Sequence, residues 1–480
     1  MVRLVGIDGL GAAHDSAQLV HRPDIAQRHR LREQIADGRT LDRAGDDRTV
    51  EGVGCKLVEQ FVLAAAADDV QRVDALALDL LETLERPAVF ERERFIDALR
   101  DLADRKNLEE MYIQQGTDAW ERKAGDDELD PERLRRSALT YGELLDQPKM
   151  IRLTLELEAD AIREAGERLA KKDIRRIVMV GCGDSIAALR GTRSLLEEIL
   201  GFPCEECEAL DFAYYYGRTV DEHTLVVALS ASGETIRIVE CLMTARERGA
   251  QTLALSNTPG STLMQCASER LLIHASRKGW PTQSSTCAMA MMIAVGFALA
   301  EASGKNTPRC ETLAAAFAQI PDLIGQTIVS SEAWAKEMAK ILASEQMVLF
   351  AGGGPFFTCA EYGAAKVKEC TPARSIAIPL EEYHHYNSQK TGDHLILIAP
   401  AGKTDYRALE TEYTCKSCGG YVHVITTADE QALIAEADSY VTVPRTEECL
   451  QNFLCAIPAQ LLGYRLSEER ERIARAEAKK

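Results

Sequence analysis

The sequence is short of the features that mark membrane and nucleic-acid-binding proteins. Its 480 residues contain no run of 18 apolar residues, so no segment is expected to cross a membrane. The segment Met1–Leu10 is too short and too poor in basic residues for a secretory signal. Lys and Arg (56) are outnumbered by Asp and Glu (75), and the net charge of −19 argues against a nucleic-acid partner. A composition of 46% hydrophobic and 27% charged residues predicts a soluble globular protein of two or three domains.

Cysteine is present without a pattern that demands disulfides. Many of the 14 cysteines lie inside apolar runs, among them Cys182, Cys287, Cys359 and Cys455. Buried, reduced thiols of this kind are typical of cytoplasmic proteins. Two CxxC pairs, Cys204/Cys207 and Cys415/Cys418, could together form a zinc site. Isolated pairs are weak signals, so we favour two unrelated pairs, one on a strand and one near a helix end, and predict no metal or other cofactor.

Residues 1–138 are predicted to form a mostly helical region. Leu, Val and Ala recur at helical spacing in Lys56–Glu85, and Glu91–Gln115 has a similar pattern. The glycine-rich segment Gly6–Gly11 lacks a strand and helix around it, which favours a plain turn over a nucleotide-binding loop. The polar segment Gly125–Pro131 predicts a linker. The sequence does not define the role of this region; oligomerisation and covering a site in the rest of the chain are the two we consider.

From Ile151 onward the pattern changes to units of a strand, a loop and a helix. Two sets of predicted strands follow one another: 177–180, 224–229 and 252–256, then 347–350, 395–399 and 422–426. Gly181 and Gly352 are 171 residues apart, and Ser230 and Pro400 are 170 apart. The sequence therefore predicts a duplicated α/β domain with parallel sheets and helices on both faces, at residues 139–318 and 319–480.

A loop rich in hydroxyl groups follows the second predicted strand of the first copy. Ser230–Thr235, Ser-Ala-Ser-Gly-Glu-Thr, lies between strand 224–229 and a helix predicted to begin at Ile236. Ligands of parallel α/β sheets bind at the carboxyl ends of the strands, and the amides at a helix start favour an anion. A plain helix cap explains one hydroxyl but not three. The loop predicts a phosphate site in the first copy alone, because the second copy has Pro-Ala-Gly at residues 400–402.

This loop resembles the Ser-x-Ser-Gly-Glu-Thr motif of the sugar isomerase (SIS) domain, a domain that occurs as a tandem pair in the isomerase half of glucosamine-6-phosphate synthase. The resemblance covers roughly residues 140–465. Other segments that resemble the family are Tyr141–Pro148, Gly181–Ser185, Ser256–Ser261, Ser284–Thr286 and Pro458–Tyr464. The resemblance implies two duplicated, flavodoxin-like, three-layer αβα SIS domains and a phosphorylated sugar or amino sugar as ligand.

The resemblance also implies binding residues. Those implied for the phosphate are Ser185, Ser230, Ser232 and Thr235, with Ala231 and Gly233 in the same loop. Those implied for the sugar are Ser285, Gly183 and His384.

Two positions of this site depart from the synthase. Ala231 replaces a Gln that is common in the synthase loop, so one side-chain donor is lost. Asp184 stands where the synthase has Thr. A carboxylate beside a phosphate is unfavourable, so we expect Asp184 to point away or to pair with a base such as Arg190 or Arg193.

The second copy carries the predicted acid–base residues. Aldose–ketose interconversion moves a proton between C1 and C2, which needs a carboxylate near those carbons and a second group that opens the ring. Glu369 lies at the end of a predicted helix, and His385 follows 16 residues later. The resemblance implies that Glu369 transfers the proton, that His385 opens the ring and that Lys366 lies near the sugar. In the family this His enters the neighbouring subunit's site, which implies a homodimer or a higher homo-oligomer.

Three functions remain open from the sequence. The one we favour is an aldose–ketose isomerase that acts on a hexose or amino-hexose 6-phosphate through an enediol or enediolamine. The second is an amino-sugar-phosphate deaminase or a fructosamine-6-phosphate deglycase, which would use the same Glu and His. The third is a non-catalytic sugar-phosphate sensor, which needs no acid–base pair. The synthase's glutaminase nucleophile and closing tail have no counterpart here, so ammonia transfer from glutamine is not expected.

Overall fold

The computed structural model of the protein describes residues 127–386 and 389–480. The predictions made for Gly6–Gly11, Lys56–Glu85 and Glu91–Gln115 lie outside the described residues. The described part contains two five-stranded parallel sheets with helices against their faces. The predicted α/β fold class is therefore confirmed.

Each sheet is formed by one stretch of the chain with its own helices. The first stretch contains α1 Pro131–Leu145, α2 Gln147–Leu157, α3 Ala159–Ala170, β1 Arg176–Gly181, α4 Asp184–Arg190, α5 Arg193–Leu200, β2 Cys204–Glu208, β3 Thr224–Leu229, α6 Ile236–Glu247, β4 Gln251–Ser256, α7 Thr262–Cys266, β5 Glu269–Leu272 and α8 Gln283–Ala302. The second contains α9 Pro308–Leu342, β6 Met347–Gly352, α10 Phe357–Cys370, β7 Arg374–Pro379, β8 His394–Ile398, α11 Asp405–Ser417, β9 Tyr421–Thr427, α12 Gln431–Glu436, β10 Ser439–Val443 and α13 Asn452–Glu477.

The two sheets have the same topology. Their strand orders are β2-β1-β3-β4-β5 and β7-β6-β8-β9-β10, so each sheet reads 2-1-3-4-5 when its strands are numbered along the chain. This is the flavodoxin-like order, in which the chain reverses direction across the sheet between the first and third strands. Strands β3 and β8 are buried along their whole length, as expected for parallel strands covered on both faces.

The two copies contact each other through corresponding residues. The Thr358 hydroxyl of α10 donates to the Ala187 carbonyl of α4 over 2.9 Å. The Arg190 guanidinium pairs with the Glu361 carboxylate between the same two helices. The residues of each pair are 171 positions apart, the same separation as Gly181 and Gly352. Contacts between equivalent positions are those of a twofold interface, so the copies are related by a local twofold axis between α4 and α10.

Long apolar helices fill the space between the sheets. α8 is long and apolar enough to cross a membrane by length and composition, but 72% of its apolar window is buried inside the protein. α2 contacts α13 through a buried hydrogen bond of 3.0 Å from Gln147 to Gln460.

Helices also run through both predicted domain boundaries. The boundary predicted between residues 318 and 319 falls within α9, and that between 138 and 139 falls within α1. α1 begins at Pro131, where Asp130 caps the helix by accepting from the Arg133 amide over 2.7 Å.

Candidate active site

A cavity of about 350 Å³ opens at the carboxyl ends of β1 and β3. This is where the strand order of the first sheet reverses, the usual ligand position in such sheets. The loop after β1, the loop after β3, the start of α8 and the end of α10 contribute its walls. The residues that line it are Cys182, Gly183, Asp184, Ser185, Leu229, Ala231, Arg277, Pro281, Ser284, Ser285, Ala288, Ala365, Lys368 and Glu369.

The predicted phosphate loop is folded tightly at one side of this cavity. The Ser230 hydroxyl lies 3.1 Å from the Thr235 hydroxyl and 3.4 Å from the Ser232 hydroxyl, so the three predicted ligands converge. Gly233 has a φ of +69°, and a Cβ there would lie 2.0 Å from the Ser261 hydroxyl. No residue with a side chain fits this position, which explains the glycine. Ala231 is the residue of this loop that lines the cavity.

Glu234 in the same loop has a structural contact. Its carboxylate accepts from the Thr262 amide over 2.9 Å and from the Thr262 hydroxyl over 2.6 Å. These bonds join the loop to the start of α7. A carboxylate that is already held by a helix start stabilises the loop and faces the helix, which leaves the anion position to the serine and threonine hydroxyls.

Three charged side chains meet on the opposite side of the cavity. The Lys366 ammonium lies 2.9 Å from the Asp184 carboxylate and is also hydrogen-bonded to the Glu369 carboxylate. Lys366 is fully buried, whereas the side chains of Asp184 and Glu369 are 16% and 27% exposed towards the cavity. Asp184 belongs to the first copy and the other two to the second, so the cluster is assembled across the local twofold axis.

Close helix packing keeps Lys366 out of solvent. α13 passes directly over α10 at Gly463, where a Cβ would lie 2.5 Å from the Cβ of Lys366. A buried ammonium is costly unless it is paired, and here two carboxylates pair with it. The absence of a side chain at residue 463 thus allows Lys366 to lie under the cavity floor with its charge facing Asp184 and Glu369.

The environment of this cluster changes its proton affinities. Burial raises the pKa of Glu369, Lys366 opposes that rise, and Asp184 adds to it. Burial would lower the pKa of Lys366, but the two carboxylates outweigh burial and the pKa is raised. Lys366 therefore stays charged, and Glu369 is a carboxylate whose proton affinity is higher than usual. A base of this kind suits proton abstraction from a carbon acid near neutral pH.

The expected partner of Asp184 was wrong. Arg190 pairs with Glu206 and Glu361, and Arg193 pairs with Glu197 and Glu206. Lys366, 182 residues away in the sequence, takes the position that either arginine was expected to fill. The reason is the local twofold packing, which brings α10 against the start of α4.

The remaining predicted residues of the first copy lie together. Gly183, Ser185 and Ser285 all line the cavity. The Ser285 hydroxyl is 3.5 Å from the Asp184 carboxylate. Cys182 also lines the cavity, but burial raises the pKa of its thiol to about 11, so the thiol is protonated at neutral pH and is a poor nucleophile.

The two predicted histidines lie elsewhere in the chain. His384 and His385 follow β7 at the edge of the second sheet and do not line the cavity. The His385 ring nitrogen is 3.2 Å from the Glu381 carboxylate, and that of His384 is 2.9 Å from the Thr411 hydroxyl. The described part of this chain therefore brings Glu369 and Lys366 to the phosphate loop but leaves His384 and His385 away from it.

Sequence reasoning missed two cations of the site, Arg277 and Lys368. Both side chains are exposed and line the cavity. A third, Arg136, donates to the Gly279 carbonyl over 3.1 Å and lies 3.6 Å above the Trp280 ring. A feature of the sequence could have indicated these residues. They are basic residues close to the motif segments, in a chain whose net charge is −19.

The CxxC pairs lie in different copies. Cys204 and Cys207 are on β2, whereas Cys415 and Cys418 are at the end of α11, as the favoured alternative predicted. Across residues 127–386 and 389–480, no group of three or more His, Cys, Asp or Glu side chains is placed to hold a metal ion. All cysteines in that part of the chain are free thiols.

The fold and cavity define a flavodoxin-like α/β protein with a hydroxyl-rich loop at the point where the strand order reverses. Residues 169–302 match the model of the SIS domain family. This stretch contains β1 to β5, so the first copy of the duplicated domain is a SIS domain.

Known proteins are similar over most of the described region. Over 339 residues, the chain is 30% identical to the glutamine–fructose-6-phosphate aminotransferase (isomerizing) of Symbiobacterium thermophilum, covering 67% of this chain and 54% of that protein. It thus spans about half the length of the curated relatives it matches.

Two solved structures share the fold. The C-terminal domain of glucosamine-fructose-6-phosphate aminotransferase from Francisella tularensis has a TM-score of 0.59 at 19% identity, covering 69% of this chain and 96% of that one. Tagatose-6-phosphate ketose/aldose isomerase from Escherichia coli has a TM-score of 0.57 at 17% identity, covering 68% and 92%. At these identities the likeness concerns the fold.

Proposed function

We propose that the chain is a phosphosugar aldose–ketose isomerase that acts on a hexose or amino-hexose 6-phosphate. The observation that carries the proposal is that the Glu369 carboxylate, held by the buried Lys366, lines the same cavity as Ala231 of the loop Ser230–Thr235. A sensor needs only the anion site. A partly buried carboxylate of raised proton affinity that lines the cavity is what proton transfer to and from a sugar carbon requires.

In the proposed mechanism the phosphate binds first and fixes the sugar. Ser185, Ser230, Ser232 and Thr235 would donate hydroxyl hydrogen bonds to the phosphate, and the amide groups of the loop would add their dipoles. Ser285 and Gly183 would contact the sugar. Fixing the substrate at its phosphate end places C1 and C2 beside Glu369, which reduces the entropy that the chemical step must lose.

Glu369 then transfers the proton between C2 and C1. As a carboxylate it takes the proton from one carbon, which gives the enediol, and as a carboxylic acid it returns the proton to the other. Lys366 stays charged throughout and stabilises the carboxylate form of Glu369 between turnovers.

Ring opening needs a further acid or base, for which we propose His385 of a second copy of the chain. His385 is exposed and lies away from this chain's own cavity, so it is available to another subunit. His384, the alternative, is half-buried and contacts Thr411. The proposed active unit is therefore a homodimer. Mixing a Glu369→Gln variant with a His385→Ala variant should restore activity through mixed dimers, and no restoration under exchanging conditions would oppose the dimer.

The reaction is tested by proton NMR in deuterated water. Fructose 6-phosphate, glucosamine 6-phosphate and a fructosamine 6-phosphate are each incubated with the protein. Deuterium at C1 or C2 without loss of an amine supports the isomerase. Release of ammonia or of an amine assigns the chain to the deaminases or deglycases, which would use the same Glu369. Binding of a sugar phosphate without any exchange would show a sensor.

A further inference from the structure

The rim of the active-site cavity carries positive charge that the described part of the chain does not neutralise. Arg277 and Lys368 both line the cavity, and within residues 127–386 and 389–480 neither forms an ion pair or a side-chain hydrogen bond. Other bases nearby are paired: Arg190 with two glutamates, and Lys366 with Asp184 and Glu369. In a chain with a net charge of −19, two unpaired cations at one cavity indicate an anionic ligand.

The segment that carries Arg277 is anchored rather than loosely exposed. The buried Glu143 carboxylate of α1 accepts from the Ser276 hydroxyl over 2.6 Å, the Lys278 amide over 2.7 Å and the Gly279 amide over 3.1 Å. The Trp280 amide donates to the Thr140 hydroxyl over 2.7 Å. Four bonds to one helix fix the backbone on both sides of Arg277, so the position from which its side chain reaches the cavity is preorganised.

These cations lie at the end of the cavity where the reacting carbons would be. Lys368 is adjacent to Glu369 in the last turn of α10. Arg136, which stacks on the Trp280 ring, interacts electrostatically with both Glu369 and Arg277. In the proposed function the phosphate lies at the loop Ser230–Thr235, which contributes Ala231 to the cavity wall, whereas Lys368 is next to the proposed base. The rim cations therefore meet a part of the substrate remote from its phosphate.

We propose that the substrate is a sugar phosphate that carries a second acidic group, a carboxylate, attached at the C1 or C2 end, and that Arg277 and Lys368 bind this group. The inference rests on the proposed function, because it uses the position of the phosphate and of Glu369. A guanidinium suits a carboxylate through paired N–H donors, and Lys368 adds a point charge. A cavity of about 350 Å³ is at the small end of ligand sites, so the carboxylate lies at the open rim where these side chains are exposed.

The test compares ligands that differ only in the second charge. Binding of 1-deoxy-1-(carboxymethylamino)fructose 6-phosphate and of 1-deoxy-1-(ethylamino)fructose 6-phosphate is measured by calorimetry with the wild-type protein. Two exposed ion pairs are each worth up to about fivefold in affinity, so we expect the carboxylate ligand to bind roughly tenfold more tightly or better. The double variant Arg277→Ser/Lys368→Gln should lose this preference while binding the ethyl ligand as the wild type does. The control Lys278→Gln removes a neighbouring exposed charge that does not line the cavity and should keep the preference.

Two results would overturn the inference while leaving the proposed function intact. One is equal affinity of the wild type for the two ligands. The other is equal weakening of both by the double variant, which would show that the cations serve the phosphate. If neither of these ligands nor fructose 6-phosphate binds, the proposed function fails, and the inference fails with it.

Discussion

The cavity at the first sheet has a counterpart at the second, and the two differ in the contacts that their corresponding groups make. The counterpart, of about 610 Å³, is lined by Gly353, Gly354, Pro355, Phe356, Ser194 and Glu198 among others. These residues correspond, 171 positions apart, to Cys182, Gly183, Asp184, Ser185, Ala365 and Glu369 of the first cavity. The local twofold axis thus produces two similar hollows from one duplicated sequence.

The second hollow has its anion position filled by the protein. The Gly402 amide donates to the Asp405 carboxylate over 2.5 Å, and the Lys403 amide donates to the Glu448 carboxylate over 3.0 Å. The equivalent loop of the first copy has three converging hydroxyls instead. A helix start that is already occupied by carboxylates has little attraction left for a phosphate.

The carboxylates at the other side of each hollow differ as well. Glu198, the counterpart of Glu369, is paired with Arg309 over 2.6 Å and is 38% exposed. Lys366 corresponds to Leu195, so the second hollow has no buried ammonium at that position. The comparison teaches that duplication gave two copies of one scaffold, with the converging hydroxyls in the first copy and the lysine-paired glutamate in the second. Each copy is incomplete, and the proposed site exists only where they meet.

The largest expected effect is on Glu369. Glu369→Gln keeps the shape but removes the proton acceptor, and we expect kcat for deuterium exchange to fall about a thousandfold, the scale of general base catalysis. The matched control is Glu198→Gln, the same change at the corresponding position of the other hollow, which should exchange at the wild-type rate. An equal loss in both variants would mean that the two hollows are not functionally different.

Replacing Lys366 by the residue of the other copy should damage stability. Lys366→Leu leaves Asp184 and Glu369 facing each other without a cation, and breaking a buried ion pair in this way costs about 4 kcal/mol. The free energy of unfolding in urea measures the loss. Adding Asp184→Asn to Lys366→Leu should recover part of it, because one of the unpaired charges is removed. Full additivity of the two changes would argue against an interaction between them.

A second difference between the copies should make stability depend on pH. His394 and His423, on β8 and β9, lie 2.8 Å apart through their ring nitrogens and are buried. When the two sheets are aligned by their strand pairings, His394 corresponds to Leu225 and His423 to Leu253. Burial lowers the pKa of His423 to about 4, below the ordinary value of 6.5. Between these values the unfolded chain binds a proton that the folded chain does not.

Because the unfolded chain binds this extra proton, the folded state becomes less stable as the pH falls. The stabilisation is complete above about pH 6.5 and is lost as the pH falls towards about 4, by about 3 kcal/mol at most. Chemical denaturation between pH 7 and pH 4 measures the loss. The double variant His394→Leu/His423→Leu copies the first sheet and should have a flatter profile in this range. An unchanged profile in that variant would assign the pH dependence to other groups.

The sequence predicted the central strands and the position of the loop Ser230–Thr235 between a strand and a helix, but not the contacts across the twofold axis. β3 was predicted at its observed bounds because its apolar run is continuous, whereas β5, β7 and β10 were not predicted. These are edge or near-edge strands with polar residues, and they lack a continuous apolar run. The pairing of Asp184 with Lys366 depends on how two domains pack, and no local pattern encodes it. The family resemblance did indicate Lys366 and Glu369, because proteins that share the motifs also share the packing of the two domains.

The corresponding glycines of the two loops give a smaller effect with a sharp control. Gly233→Ala puts a Cβ 2.0 Å from the Ser261 hydroxyl at a φ of +69°, so the loop must move and its hydroxyls separate. We expect fructose 6-phosphate to bind about thirtyfold more weakly, about 2 kcal/mol. In Gly402→Ala the new Cβ would lie 2.6 Å from the end of the flexible Glu448 side chain, which can turn away. Calorimetry should find wild-type affinity there, and weakened binding in Gly402→Ala would show that the second loop also contributes.

The smallest expected effect is a shift of the pH–rate profile. Glu369 acts as a base only when deprotonated, so kcat/KM should rise with pH through its pKa. Burial and Asp184 both raise that pKa, and Lys366 opposes them. Asp184→Asn removes one raising charge and leaves Lys366 to Glu369 alone, so the acidic limb should move to lower pH. Asp405→Asn is the same substitution at the start of α11, at a residue that does not line this cavity, and should leave the limb where it is. Carbon-13 NMR of the Glu369 carboxyl group measures the same pKa without any turnover, so a limb that moves without a change in this pKa would show that Asp184 acts on another group.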